Sequence, residues 1–425
     1  MTNKEKQTKE HFCPDFRSDS FLQNSKKVFK AMHDSGCPFA FSEKDQYYAV
    51  ASYDEAREIL GDHDRWENKY GAGLSYSHPN CDVLLGTDPP LHTTQVNILA
   101  KAFNQKKYHE IQPALETYIQ SQLQSWYSDG QVDIQRQLFK VLPAYALCTL
   151  LGLGAITNIE KEWPEHFAEA AIAIAEELYQ PQDTKAEKIT TRAARPESAE
   201  SVMKSVALMR EFIGYCKDGM RSGALDESSN PVCCLLTTCD SDGFLLSEED
   251  IFGVLNFLLL AAGTSTTILL GNITYRLLSN PEQFELIKND RRLVEHAIEE
   301  TLRIDSPING LFRTNREEET LGPYTVKKDS KILMLFSGAN LDPKTFDAPD
   351  TFNILRELSD IKKHLSFGYG IHYCRGAELS KIQARCVVNM LIDNFIDLKL
   401  IGEPIIQTRA PALNGFESLT IGWVV

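Results

Sequence analysis

From Ile251 to Thr274 the chain carries no charged residue. A run this long and apolar has two homes, the interior of a bilayer or the interior of a large protein. The polar residues inside it decide between them. Asn256, Asn272 and the consecutive hydroxyls of Thr264, Ser265, Thr266 and Thr267 interrupt the run. A lipid-facing helix leaves such groups poorly satisfied. A long helix buried through the centre of a large fold, with its polar residues on a cavity, suits them better. The N-terminus, MTNKEKQTKE, is polar and lacks the apolar segment of a secretory signal or anchor. A cytoplasmic protein without a membrane anchor is the expectation.

Most of the remaining sequence reads as helix. Ile111, Leu115, Tyr118, Ile119 and Leu123 recur at helical spacing and predict a helix over 107–126. Similar patterns predict helices over 134–152 and 199–217. A helix over 291–304 is stopped by Asp305-Ser306-Pro307. Strands are expected at 46–51, 310–314 and 330–336, and the alternation over 416–425 reads as a final hairpin. Residues 181–200 are polar and poor in aromatics, and read as a mobile loop. Residues 1–15 read as a flexible tail on one domain that takes up the whole chain.

The net charge of −15 argues against nucleic acid as a partner, since phosphates are repelled. Ten cysteines are scattered without a CxxC pair, which reads as reduced thiols rather than a disulfide scaffold.

One cysteine stands apart. HLSFGYGIHYCRGAELSKIQAR spans residues 364–385, with Gly368 and Gly370 before Cys374 and Gly376 after it. The spacing suits neither a zinc cage nor a disulfide. Glycines at this density let backbone approach a flat object closely. The residues after Cys374 are helical in pattern, so the thiol precedes a helix N-terminus, where free N–H groups and the dipole stabilise a thiolate. Such a thiolate is suited to binding one metal axially. A haem iron wants one strong axial ligand and a smooth apolar wall, to which Phe367 contributes. The plain alternative is a buried structural cysteine. The longer pattern, Phe-Gly-x-Gly-x-His-x-Cys-x-Gly with Leu379 following, resembles the haem-binding loop of the cytochrome P450 family.

The resemblance extends along nearly the whole chain. Glu300-Thr301-Leu302-Arg303 is similar to the family's ExxR, a structural pair that knits to a downstream meander, here near Asn353 to Arg356. Thr87-Asp88-Pro89-Pro90-Leu91-His92-Thr93 resembles the start of the helix along the haem edge, which implies that His92 faces a propionate. The family often has arginine four residues later, where this chain has Val96. Arg313 in GLFRT and His372 match further propionate partners. Ala262-Gly263-Thr264-Ser265-Thr266-Thr267 resembles the oxygen groove of the long central helix, with small Ala262 and Gly263 letting it pass close to the porphyrin. Thr266 matches the groove's catalytic threonine. Ser265 stands where the family usually has a carboxylate, and a serine hydroxyl does not titrate near neutral pH.

The resemblance therefore implies a mainly α fold with small β-sheets, with haem b between the long central helix and the cysteine-loop helix. Cys374 is its metal ligand, and Phe367, Gly368, Gly376 and Ala262 line it. The implied activity is monooxygenation: one atom of O2 enters a C–H bond, by hydroxylation or oxidative O-dealkylation, of a small to mid-sized organic substrate. An axial thiolate favours O–O cleavage. GYGIHYCRG is not a dinucleotide fingerprint, so electrons are expected from a separate ferredoxin or flavodoxin served by an NAD(P)H-dependent reductase. Lys101, Lys106, Lys107, Lys362, Lys363, Arg375 and Lys381 form the expected docking patch, and a monomer is expected. Substrate-pocket candidates are Trp66, Tyr70, Tyr76, Leu259, Gly263, Asn309, Leu311 and Phe416. Ser265 motivates a second reading, a haem-thiolate enzyme performing desaturation, oxidative coupling or peroxide-driven oxidation. A third is a non-catalytic haem sensor.

Overall fold

The structure, a computed structural model, describes residues 14–16, 18–68, 70–74, 83–158, 163–177 and 196–425. The central helix runs from Glu248 to Ser279, about 48 Å at 1.5 Å per residue. Its start is written in sequence. The Ser247 hydroxyl accepts from the Asp250 N–H at 3.1 Å, and Asp250 accepts from the Ser247 N–H at 2.8 Å. Glu248, Glu249 and Asp250 add negative charge where the helix dipole favours it. Its apolar stretch is mostly inside the protein, so the charge-free run is a core helix.

Around it pack the helices Leu142–Leu151, Pro164–Glu177, Pro196–Ser222, Leu293–Ile304 and Ala377–Asn394, and Gln112–Trp126 packs on the first and last of these. The helix expected over 107–126 is two helices, Gln105–Glu110 and Gln112–Trp126. Pro113 explains the break, because it lacks an N–H and its ring displaces the preceding turn. Pro143 acts similarly in the expected 134–152 helix. There a π-helical turn, Gln135–Phe139, precedes Leu142–Leu151. Residues 181–195 of the expected loop lie outside the described residues, and the chain is helical from Pro196.

The main sheet has five strands in the order Phe39–Ser42, Tyr47–Val50, Lys331–Met334, Leu311–Asn315 and Trp66–Glu67. Tyr47–Val50 and Lys331–Met334 are parallel, and the other pairs are antiparallel. The tail corrects the hairpin expectation. Phe416–Ser418 pairs with Ile405–Ile406, while Thr420–Val424 pairs with Gln131–Asp133 and Ile396–Leu400. The chain bends at Leu419, whose N–H donates to Asp133 Oδ1 and whose carbonyl accepts from the Ile134 N–H. That anchor draws the last strand into a different sheet.

Candidate active site

Glu300 and Arg303 set the floor. Both side chains are fully buried, and Arg303 Nε and Nη2 each lie 2.8 Å from a Glu300 carboxylate oxygen. The guanidinium also donates to the carbonyls of Asn340, Pro349 and Thr351. Glu300 accepts from Arg356 Nε at 3.0 Å and from the Asn353 N–H at 3.1 Å. Every strong donor and acceptor of the pair is met, as a buried charge requires, and the meander is tied to the helix Leu293–Ile304.

On this floor rests the cysteine loop. Its turn is closed by the Cys374 N–H to Phe367 O at 2.9 Å and the Gly368 N–H to Leu365 O at 2.8 Å. Gly370 is demanded by geometry. Its φ is +75°, and a Cβ there would stand 2.6 Å from Leu60 O. Tyr369 is gripped by Arg57, which donates to its hydroxyl at 2.7 Å. The Cys374 thiol opens into a largely apolar cavity of about 270 Å³. Burial pushes its pKa up, and the N–H groups of Gly376 and Ala377 oppose that shift. A thiol so placed ionises against a cation, as a metal ligand does.

Across the cavity lies one face of the central helix. Phe257, Leu258, Ala261, Ala262, Ser265, Thr266 and Leu269 line it, recurring at helical spacing. The Ser265 hydroxyl donates back to Ala261 O at 3.1 Å, and that of Thr267 to Gly263 O at 2.9 Å. Among the described residues the Thr266 hydroxyl has no protein partner.

The cavity's edge is cationic. Leu311 and Arg313, two apart on one strand, both face it. Arg313 is 3% exposed, with Nη1 donating to Phe312 O at 3.1 Å. Burial lowers its pKa to about 10, opposed by Asp88, so it is charged at neutral pH. The rings of His92 and His372 lie 4.2 Å apart. Burial, then His372, holds His92 down at about 4, and burial also lowers His372. His372 Nε2 is buried without a hydrogen-bond partner among the described residues, 4.0 Å from Asp88 Oδ1. A buried guanidinium and an unsatisfied imidazole at the rim of an apolar cavity fit the anionic edge of a flat apolar cofactor. Val96, where the family often has arginine, lines the same cavity.

Phe367, Gly368 and Gly376 also line the cavity, beside the thiol. Several pocket candidates lie elsewhere. Leu259 and Gly263 sit on the far face of the central helix, and Gly263 admits the helix Pro164–Glu177: a Cβ there would stand 2.8 Å from Ala171 Cβ. Its small size therefore serves helix packing rather than approach to the cofactor. Trp66 is 3% exposed in the core beneath the main sheet. Tyr70 offers its carbonyl to Lys331 Nζ. Asn309 is a bracket, donating to Pro411 O and accepting from the Ser337 hydroxyl. Phe416 packs on Tyr275. None of these six side chains lines the cavity. Tyr76 lies outside the described residues. Leu84 and Leu85 complete the wall, within the loop at 66–86 that the resemblance implied, though a short turn carries no periodicity to single them out. Phe257 and Leu258 were legible by counting two helical turns back from Ser265 and Thr266.

A thiol-bearing loop facing a threonine groove, with a cationic rim between, defines a haem-thiolate architecture. A model of the cytochrome P450 family matches residues 23–402, and the chain belongs to that family. It is an oxidoreductase of the P450 monooxygenase type, whose members use haem, O2 and redox partners. The chain is similar to cytochrome P450 monooxygenase PikC of Streptomyces venezuelae, at 27% identity over 90% of this chain and 86% of that one. It is similar to the steroid C26-monooxygenase of Mycolicibacterium smegmatis, at 30% identity over 79% and 71% of the two chains. The solved structure of substrate-free CYP109E1 from Bacillus megaterium shares the fold, with a TM-score of 0.80 at 23% identity, covering 95% of this chain and 99% of that one.

Proposed function

We propose that this chain is a cytoplasmic haem-thiolate monooxygenase that inserts one oxygen atom of O2 into a C–H bond of a small to mid-sized, largely uncharged organic substrate. The observation that carries this reading is that Cys374 and Thr266 line the same largely apolar cavity. Cys374 would bind the iron. Arg313, His372 and His92 would hold the propionates, and Phe367, Gly368, Gly376 and Ala262 would line the macrocycle. A haem held by the Cys374 thiolate would supply oxygen activation when bound.

The chain's own residues do the rest. Leu84, Leu85, Leu258, Ile308 and Leu311 exclude water and orient an apolar carbon skeleton. Thr266 offers a hydroxyl without a competing protein acceptor, which suits it to order a water and pass a proton. Ser265 supports a second reading of the outcome, desaturation, coupling or peroxide-driven oxidation, because its hydroxyl is tied to Ala261 O and the position holds no ionisable group. The two relatives described above are named as monooxygenases, and a sensor is not retained.

Electrons would come from a ferredoxin or flavodoxin with its NAD(P)H-dependent reductase. Of the expected docking cations, Lys362 and Lys381 pair with Glu295 and Glu299, Lys363 with Asp360, and Lys106 with Glu110. Lys101 donates to Cys239 O at 3.3 Å. Lys107 and Arg375 have no carboxylate within ion-pair distance among the described residues, which makes them the stronger candidates.

The test is a Soret titration of the ferric protein with terpenoids, aromatic ethers and acids, fatty acids, steroids and methylated sugars. A low-spin to high-spin shift with an apolar class supports the reading. A shift only with highly polar or charged compounds contradicts it.

A further inference from the structure

We propose that Gln95 is a positioning residue that sets which shapes the cavity admits, by holding Leu84 in a backbone conformation leucine does not favour. The proposal rests on the reading of this cavity as the haem and substrate site.

Leu84 has a φ of +50°. In that left-handed region a Cβ crowds the following carbonyl, so residues other than glycine avoid it. An outlier of this kind persists where its surroundings over-determine it. Here they do. The Leu84 N–H donates to Gln95 Oε1 at 2.7 Å. The Leu84 carbonyl accepts from the Thr87 N–H at 3.1 Å. The Thr87 hydroxyl lies 3.0 Å from Leu84 O and 3.1 Å from Gln95 Oε1, so its one proton braces either end.

Gln95 is 1% exposed and sits on the helix Leu91–Ala102, next to Val96 and three residues from His92. A buried amide is retained where its hydrogen bonds are made. The helix that brings His92 to the cavity's edge therefore also fixes Leu84 and Leu85 on its wall. A wall held by a buried hydrogen bond already has its binding shape, so a ligand that packs on it orders no loop, and the cavity favours ligands that match that shape.

The test uses the haem-loaded protein and two iron-binding probes, imidazole and 4-phenylimidazole, titrated by Soret shift. Only the second is large enough to meet the wall. Gln95→Leu should weaken 4-phenylimidazole relative to imidazole by about five-fold, the equivalent of one lost hydrogen bond. Gln95→Glu keeps an acceptor and should restore the wild-type ratio. Leu84→Gly keeps the φ and the bond to Gln95 but removes the side chain from the wall, so it should weaken 4-phenylimidazole relative to imidazole as Gln95→Leu does. Hydrogen exchange at the residue-84 amide should quicken in Gln95→Leu and stay slow in the other two. An unchanged ratio or tighter 4-phenylimidazole in Gln95→Leu, or no rescue by Gln95→Glu, overturns the proposal. Should Gln95→Leu fail to fold, a wild-type ratio in Leu84→Gly overturns it alone. Wild-type protein that shifts with neither azole refutes the haem reading itself, a separate failure.

Discussion

Thr266 and its neighbours show how one atom's hydrogen bond separates a structural hydroxyl from a working one. Ser265 and Thr267 return their hydroxyls to carbonyls of their own helix, and Thr266 does not. Thr266→Ala should therefore leave electron consumption running while product per electron falls by about ten-fold or more. Measuring NAD(P)H oxidised against product formed checks this, and full coupling in the variant would refute the role. At this scale the sequence singled out four residues that the structure places on one cavity. Cys374, His92, Arg313 and His372 belong to short local patterns whose chemistry depends on few neighbours. Trp66 and Asn309 were misread because aromatic and amide side chains look alike in sequence whether they meet a ligand or the protein's own interior. Only the partners, the core beneath the sheet for Trp66 and Pro411 with Ser337 for Asn309, tell them apart.

Elements are held together beneath the cysteine loop by buried charge. Glu299, on the helix Leu293–Ile304, lies 2.8 Å from His364 Nε2 and 3.2 Å from Lys381 Nζ, on the helix Ala377–Asn394. Burial pushes the Glu299 carboxyl up, but His364 and Lys381 outweigh it and hold it at about 2, below the ordinary 4.5. A carboxylate with a depressed folded pKa stabilises the fold above its unfolded pKa, and that contribution fades as pH falls through the folded one. The stability advantage of wild type over Glu299→Gln should thus shrink as pH drops from 4.5 toward 2. Denaturant midpoints across that range measure it, and parallel curves would refute the linkage. The central helix was readable as an element because its capping residues and charge-free run are contiguous. Its facing was not, because Gly263 looks like a cofactor contact until the neighbouring helix is in place. The last strands were misassigned for a related reason. Their pairing depends on Asp133, nearly three hundred residues away in sequence.

For the whole molecule, electrostatics and the central cavity set the function. A chain of net charge −15 needs a local cationic surface to meet an acidic electron donor. Lys107→Glu, the stronger candidate that does not line the cavity, should slow donor-supported turnover by about five-fold at low salt. The difference should narrow as salt rises, with substrate affinity unchanged. A rate equal to wild type at low salt would move the docking surface elsewhere. The central claim is the proposal that the Cys374 thiolate would hold haem in the cavity that Thr266 also lines. Its most direct test is the ferrous–CO spectrum of wild type and Cys374→Ser. The account predicts the red-shifted Soret band of a thiolate-ligated complex in wild type and its loss in the variant. Absence of that band from fresh wild-type protein, or its persistence in Cys374→Ser, would contradict it.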